Sequence, residues 1–179
     1  MSVAVLGTNE FEAADRDTQQ IYLSAVTRLA LTRIPIRTGA STGCDQVAAH
    51  AALEVGGRVE LVLPWSRFQW EWVTMTSGKY PGRCQVEVFD PARHADWLTS
   101  VAEYAHPGEV ITTSTRKLYA RVYGIVQPTE IVLAMPLVSE RGGTGQGMRI
   151  ARRLGKVVLD VRREEDRERL YVWLKGLPH

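Results

Sequence analysis

Arg37-Thr-Gly-Ala-Ser-Thr-Gly-Cys-Asp-Gln-Val-Ala-Ala-His-Ala-Ala-Leu-Glu-Val-Gly-Gly-Arg-Val-Glu-Leu-Val-Leu-Pro64 reads as the end of a strand, a small-residue loop, a helix, a Gly-Gly stop and a second strand. Gly39 and Gly43 bracket Ala40, Ser41 and Thr42, so the backbone can turn tightly and present N–H groups and hydroxyls where the helix begins. Those N–H groups have no intrahelical partner and lie at the positive end of the helix dipole, which favours an anion there. The stretch therefore points to a phosphate-bearing ligand more firmly than to a reaction. Asp45 stands one residue inside the helix. It can accept a hydrogen bond from a ligand, or serve as a first-turn acid that stabilises helix and loop.

The same strand, turn and helix order recurs outward from this stretch. Val3 to Leu6 is a short β-branched run that stops at Gly7-Thr8-Asn9, the form of a buried strand ending at a ligand-facing turn. From Asp15 to Arg33 the apolar residues Ile21, Leu23, Ala25, Val26, Leu29 and Ala30 recur at mostly helical spacing, with Asp15 or Asp17 as cap. Strands are then predicted at Ile34 to Thr38, Val59 to Leu63, Cys84 to Phe89, Ile131 to Met135 and Lys156 to Val161. Helices are predicted at Cys44 to Val55, Pro91 to Tyr104, Ser114 or Thr115 to Tyr123, and Glu164 to Leu174. In the second of these Ala95, Leu98, Val101 and Ala102 point inward, and His106-Pro107-Gly108 ends it. The alternation predicts an α/β fold, a Rossmann-like, doubly wound, mainly parallel sheet of about six strands with helices on both faces. Its ligand site is expected outside the carboxyl ends of the strands, where Gly7 to Asn9 and Gly39 to Gly43 meet.

The 179 residues are the size of one such domain, and the whole chain is expected to form it. With 22 basic against 20 acidic residues, net +2, nothing in the charge marks a protein that coats nucleic acid, so contacts with phosphate are local. The two cysteines, Cys44 and Cys84, lack metal-ligand spacing and read as free thiols; no metal and no cofactor is expected. No apolar run reaches the roughly 18 residues of a membrane span, and the expected location is cytoplasmic.

Three further stretches bear on function. Trp65 to Arg83 looks irregular and carries Trp65, Phe68, Trp70, Trp72 and Tyr80 directly after a strand. It reads as an excursion that stacks on a base, or as aromatics that pack on the sheet edge or on a second copy in a homo-oligomer. The helix after Ser114 opens with Arg116 and Lys117, and Arg116 is a candidate phosphate contact; Lys117 and Arg121 read as a solvated basic face. The stretch Ser139-Glu-Arg-Gly-Gly-Thr-Gly-Gln-Gly-Met-Arg149 reads as a second glycine-rich loop, in which Gly142, Gly143, Thr144 and Gly145 approach a ligand and Arg149 pairs with a phosphate or an acid across the cleft. His50 reads as a partly buried packing residue.

Gly39-Ala-Ser-Thr-Gly-Cys-Asp45, with Ala49-His50 a helical turn on and Gly56-Gly57 before a strand, resembles the Gly-Gly-Ala-Arg-Gly-Ile-Asp…Ala-His…Gly-Gly pattern of the DNA-processing DprA/Smf family. Val3-Ala-Val-Leu-Gly7 is similar to that family's first strand and loop. Gly142-Gly143-Thr144 resembles the late Gly-Gly-Thr of the wider superfamily that also holds the LOG-like nucleotide phosphoribohydrolases. The resemblance implies a Rossmann-like fold binding a nucleotide, a nucleotide-derived molecule or short single-stranded DNA. Three positions depart from it. The glutamate of the LOG motif Pro-Gly-Gly-x-Gly-Thr-x-x-Glu is replaced by Arg149, the basic residue of the DprA loop by Ser41 or Thr42, and the Arg-Asn of small relatives by Arg116-Lys117. The leading expectation is a binding module in which Gly7, Thr8, Gly39 to Gly43 and Gly142 to Gly145 cradle a phosphate. The alternative is a nucleotide N-glycosidase with Asp45 or Glu10 acting at the anomeric carbon.

Overall fold

Six parallel strands in the order β4-β3-β2-β1-β5-β6 make the sheet of the computed structural model, which describes residues 1–93, 112–136 and 140–178. The strands are β1 Val3–Gly7, β2 Ile36–Thr38, β3 Val59–Leu63, β4 Cys84–Val88, β5 Ile131–Met135 and β6 Val157–Asp160. Among the described residues the helices are α1 Arg16–Leu31, α2 Cys44–Glu54, α3 Trp70–Lys79, α4 Thr113–Val126, α5 Gly142–Arg153 and α6 Glu164–Lys175. The predicted α/β class and parallel winding are therefore observed. The chain winds outward from β1 through β4 on one side, then returns to β5 and β6 on the other, so the order reverses between β1 and β5.

Strand periodicity sorts the core into two layers. Val3 and Val5 of β1 face α1, α2 and α6, packing with Tyr22, Leu29, Leu53 and Leu170. Ala4 and Leu6, one residue out of phase, face α4 and α5 and pack with Val122, Ile125 and Met148. Both faces of β1 are thus covered, which is why it reads as an unbroken apolar run. Fully burying a side chain such as Leu29 contributes roughly 1.5–3 kcal/mol relative to exposure.

Local signals set the helix ends. Asp15 caps α1 by accepting the Thr18 N–H at 2.9 Å, and Thr112 caps α4 by accepting the Thr115 N–H at 3.1 Å, ahead of the predicted Ser114 or Thr115. Gly56, at φ +87°, closes α2 with its N–H on the Leu53 carbonyl.

Several expectations change. The aromatic stretch contains helix α3, whose few inward residues, Val73 and Thr76, leave too narrow an apolar stripe to be read as a period. Phe68 and Trp72 pack on Ala40, Leu63 and Val73, Trp65 lies edge-on to Phe68 at 5.1 Å, and Trp70 is exposed. His50 is exposed, 4.0 Å from Glu54 one turn on, and packs in no core. Of the predicted helix from Pro91 to Tyr104, only the short turn Pro91–Arg93 is described; Ala95 to Gly108 and Ser139 lie outside the described residues. No helix of the described residues is long and apolar enough to cross a membrane.

Candidate functional site

The reversal between β1 and β5 opens a cleft of about 550 Å³ at the carboxyl ends of the strands, the place the topology predicts. Its first wall is Gly7, Thr8 and Asn9 after β1, with Ser41, Thr42 and Asp45 at the entry to α2. Its second is Arg141, Gly142, Gly143 and Thr144 at the start of α5. Phe68 and Gln69 border one side, and Tyr119 and Arg121 of α4 the other.

Eight of the candidate residues line this cleft: Gly7, Thr8, Ser41, Thr42, Asp45, Gly142, Gly143 and Thr144. Gly39, Ala40, Gly43, Gly145, Arg116 and Arg149 do not. Three of these glycines have structural reasons visible in what a Cβ would strike. At Gly39 it would collide with the Arg121 guanidinium and the Asp45 carboxylate. At Gly43, whose φ is +88°, it would fall 2.6 Å from the backbone of Asn9, and at Gly145 on the Glu140 carbonyl. Gly7, although in the lining, is likewise held against the Cys44 side chain.

The second glycine cluster is not a loop ahead of a helix but the helix itself, since α5 begins at Gly142. Glu140, at φ +48°, and Gly142, at φ +71°, set the turn into it. Gly147 lets the helix settle against Leu6 and Val122. Three glycines after Gly142 cost the helix up to about 1 kcal/mol each relative to alanine, a loss that close packing offsets at Gly145 and Gly147. Arg149, expected to face the cleft, instead turns back and donates to the Glu140 carbonyl at 2.9 Å. Arg116 sits on the exposed first turn of α4.

The principal correction concerns Arg121. Expected on a solvated face, it is buried, 6% exposed, and sits beside Asp45 with 3.9 Å between Nη1 and Oδ2. Its Nη1 and Nη2 reach Ser41 Oγ only at 3.4 Å, its guanidinium lies 5.6 Å from the centre of the Phe68 ring, and its Nε has no hydrogen-bond partner. A buried guanidinium with five donors and such long contacts is under-satisfied. A local signal existed: Arg121 is embedded in Tyr119-Ala-Arg-Val-Tyr-Gly-Ile-Val126, every residue of which is buried. Arg141, the residue preceding α5, is an exposed cation in the cleft wall that the glycine pattern had overshadowed.

Asp45 accepts the Ser41 N–H at 3.2 Å. Burial raises its pKa above the ordinary carboxylate value, and Arg121 followed by the Ser41 N–H opposes that rise. Thr38 is committed elsewhere, donating to the Val5 carbonyl at 2.7 Å. Burial also pulls Arg121 down from its ordinary value, with Asp45 pushing back. Cys44, beside the site, is buried and its thiol raised far above the usual range, which makes it a packing residue rather than a nucleophile. Among the described residues no three potential metal ligands converge.

No protein-family model matches the sequence, and no curated protein is similar to it. Solved structures are. DNA processing protein A from Helicobacter pylori, described by its single-stranded DNA binding mode, superposes with a TM-score of 0.63 at 14% identity, covering 99% of this chain and 82% of that one. The two chains share a fold. The Streptococcus pneumoniae DprA gives a TM-score of 0.58 at 18% identity over 98% of this chain, which spans 56% of that protein. The molybdenum cofactor carrier protein of Chlamydomonas reinhardtii gives 0.53 at 14% identity, covering 100% and 89%. The likeness to DprA first visible in Gly39 to Asp45 thus extends across the sheet, at the level of fold.

Proposed function

We propose that the cleft between β1 and β5 binds a phosphate-bearing ligand: a nucleotide, a nucleotide-derived small molecule or a short single-stranded DNA stretch. The observation that carries this is the under-satisfied Arg121 guanidinium in the wall of a cleft whose far side is the start of α5. An oxyanion there would meet a guanidinium fork, the exposed Arg141, and the free N–H groups of Gly142 and Gly143 at a positive helix end. Phe68, half-buried at the border, offers aromatic surface for a base. The neighbours named for single-stranded DNA binding and for carrying the molybdenum cofactor support a ligand of this general kind.

N-glycosidase chemistry is less well supported. Asp45 is the one carboxylate in the cleft lining among the described residues, and it is engaged by Ser41 and Arg121. Glu10, the other candidate acid, is exposed outside the lining. The test is to incubate the purified protein with nucleoside mono- and diphosphates, NAD, ADP-ribose and a short oligodeoxynucleotide, and to identify by mass spectrometry what is retained and whether free base appears. A retained, intact phosphate ligand is expected. Release of free base, lost in Asp45→Ala, would replace binding with catalysis; retention of nothing would overturn the proposal.

A further inference from the structure

Asp45 and Arg121 both line the cleft, 3.9 Å apart, with side chains only 5% and 7% exposed. Among the described residues neither has another ion-pair partner. Arg121 is thus at once the cation that keeps the carboxylate charged and the cation that an incoming oxyanion would engage. Two anions compete for one guanidinium.

The surroundings leave Asp45 as the group that must respond. Tyr22 of α1 and Cys44 on Asp45's own helix lie near enough to feel its charge, and burial raises both so far that they stay uncharged in the acid and neutral range. From α4 Asp45 faces Arg121, and from the turn ahead of α2 it accepts the Ser41 N–H. Arg141 before α5 and the uncharged Phe68 and Gln69 before α3 complete its side of the lining. No histidine and no second carboxylate lines the cleft among the described residues.

A bound oxyanion acts on Asp45 in three ways, all of one sign. Its negative charge repels the carboxylate directly, in a site shielded from water. It draws the Arg121 donors to itself and so weakens the pairing that keeps Asp45 ionised. It also removes water from a carboxylate that burial already holds above its ordinary pKa.

Resting on the reading of the cleft as a phosphate site, we propose that the Asp45 carboxylate takes up a proton from solvent when the ligand binds, so that the cleft holds its anion more tightly as pH falls. The coupling is reciprocal: whatever the ligand adds to the proton affinity of Asp45, the proton adds to the affinity for the ligand. Asp45 then opposes the ligand at neutral pH instead of gripping it.

Isothermal titration calorimetry of the full chain tests this, with inorganic sulfate and a thymidine dinucleotide as probes, because neither changes charge between mildly acid and neutral pH. In buffers of different ionisation enthalpy, binding should take up as much as one proton per ligand, and affinity should rise on the order of tenfold from neutral to acid pH. Asp45→Asn should abolish the uptake and bind at neutral pH about as tightly as the wild type does in acid. NMR of the Asp45 carboxyl carbon in the wild-type chain, free and saturated with probe, should show its titration moved upward by the ligand, a readout that does not depend on the variant folding. Binding without proton uptake, or an Asp45 titration that the ligand leaves unmoved, overturns the inference while the phosphate site stands. So does a folded Asp45→Asn chain that keeps the uptake or binds more weakly at neutral pH. Failure of both probes to bind at any pH overturns the inference and the phosphate site together.

Discussion

The two glycine-rich entries into helices, at α2 and at α5, look alike in sequence and differ in what their glycines are for. At the α2 entry the missing Cβ atoms are already accounted for by the chain: Gly39 makes room for Arg121 and Asp45, and Gly43 for Asn9. At the α5 entry Gly145 and Gly147 are filled in the same way, by Glu140 and by Leu6 with Val122. Gly142 meets nothing within 4 Å, and Gly143 only the Val122 methyl at 3.4 Å. A glycine therefore argues for a ligand only where the protein itself leaves the space beside it empty. By that criterion the first two residues of α5, and not the Gly39 to Gly43 loop, are the bare backbone of the cleft.

The contrast can be broken by mutation. Arg121→Met should have the largest effect, because it strands the Asp45 carboxylate in a buried site; a loss of about 3 kcal/mol at neutral pH is expected in denaturant unfolding. Gly145→Ala should follow, at about 1–3 kcal/mol, because a backbone carbonyl cannot move aside as a flexible side chain can. The pH dependence of stability comes next. Asp45 has a folded pKa raised above its unfolded value of about 4, so the folded state binds the extra proton. Its contribution is greatest below the unfolded value and is lost as pH rises through the folded one. Unfolding curves across the acid range should show that decline, and Asp45→Asn should flatten it.

Gly143→Ala separates the two uses of glycine most directly. Alanine fits beside Val122 and is the better helix former, so stability should change by no more than about 1 kcal/mol, in the stabilising direction. Affinity for a retained nucleotide should nevertheless fall if the proposed phosphate site is right, since the new methyl group stands at the proposed approach of the phosphate. Unchanged affinity would remove the α5 entry from the site. Smallest of all, Arg116→Ala should leave both stability and affinity within error, because that residue is exposed and outside the cleft lining.

Much of the fold was legible because parallel strands buried on both faces announce themselves. Val59–Leu63 and Ile131–Met135 occur where the apolar runs place them, to the residue. Helix α3 was not legible: Trp70-Glu-Trp-Val-Thr-Met-Thr-Ser-Gly-Lys79 buries only Val73 and Thr76, so burial leaves almost no trace in its spacing. The site was half legible. Loops reveal themselves by local composition, whereas the value of Arg121 depends on Asp45, on the space left by Gly39 and on Phe68, all distant in sequence. An arginine in isolation reads as surface; only the third dimension shows it is inside. Gly43→Arg, an obvious choice from sequence for disabling a phosphate loop, would strain a backbone at φ +88° and strike Asn9, so it cannot separate binding from folding.

The pairing of β1 with β5 has a consequence for synthesis. Val3 hydrogen-bonds alongside Ile131, and the cleft is assembled from Gly7 to Asp45 on one side and Tyr119 to Thr144 on the other. On a ribosome adding roughly 5–20 residues per second, β1 waits on the order of 6–25 s for its second neighbour to be made. Until then one long edge of the nascent sheet stays open and Asp45 has no Arg121 beside it. Arg121, β5 and the start of α5 then follow in one continuous stretch, Arg121 to Thr144, so the inner cation and the second wall of the cleft are made together with the last strand beside β1.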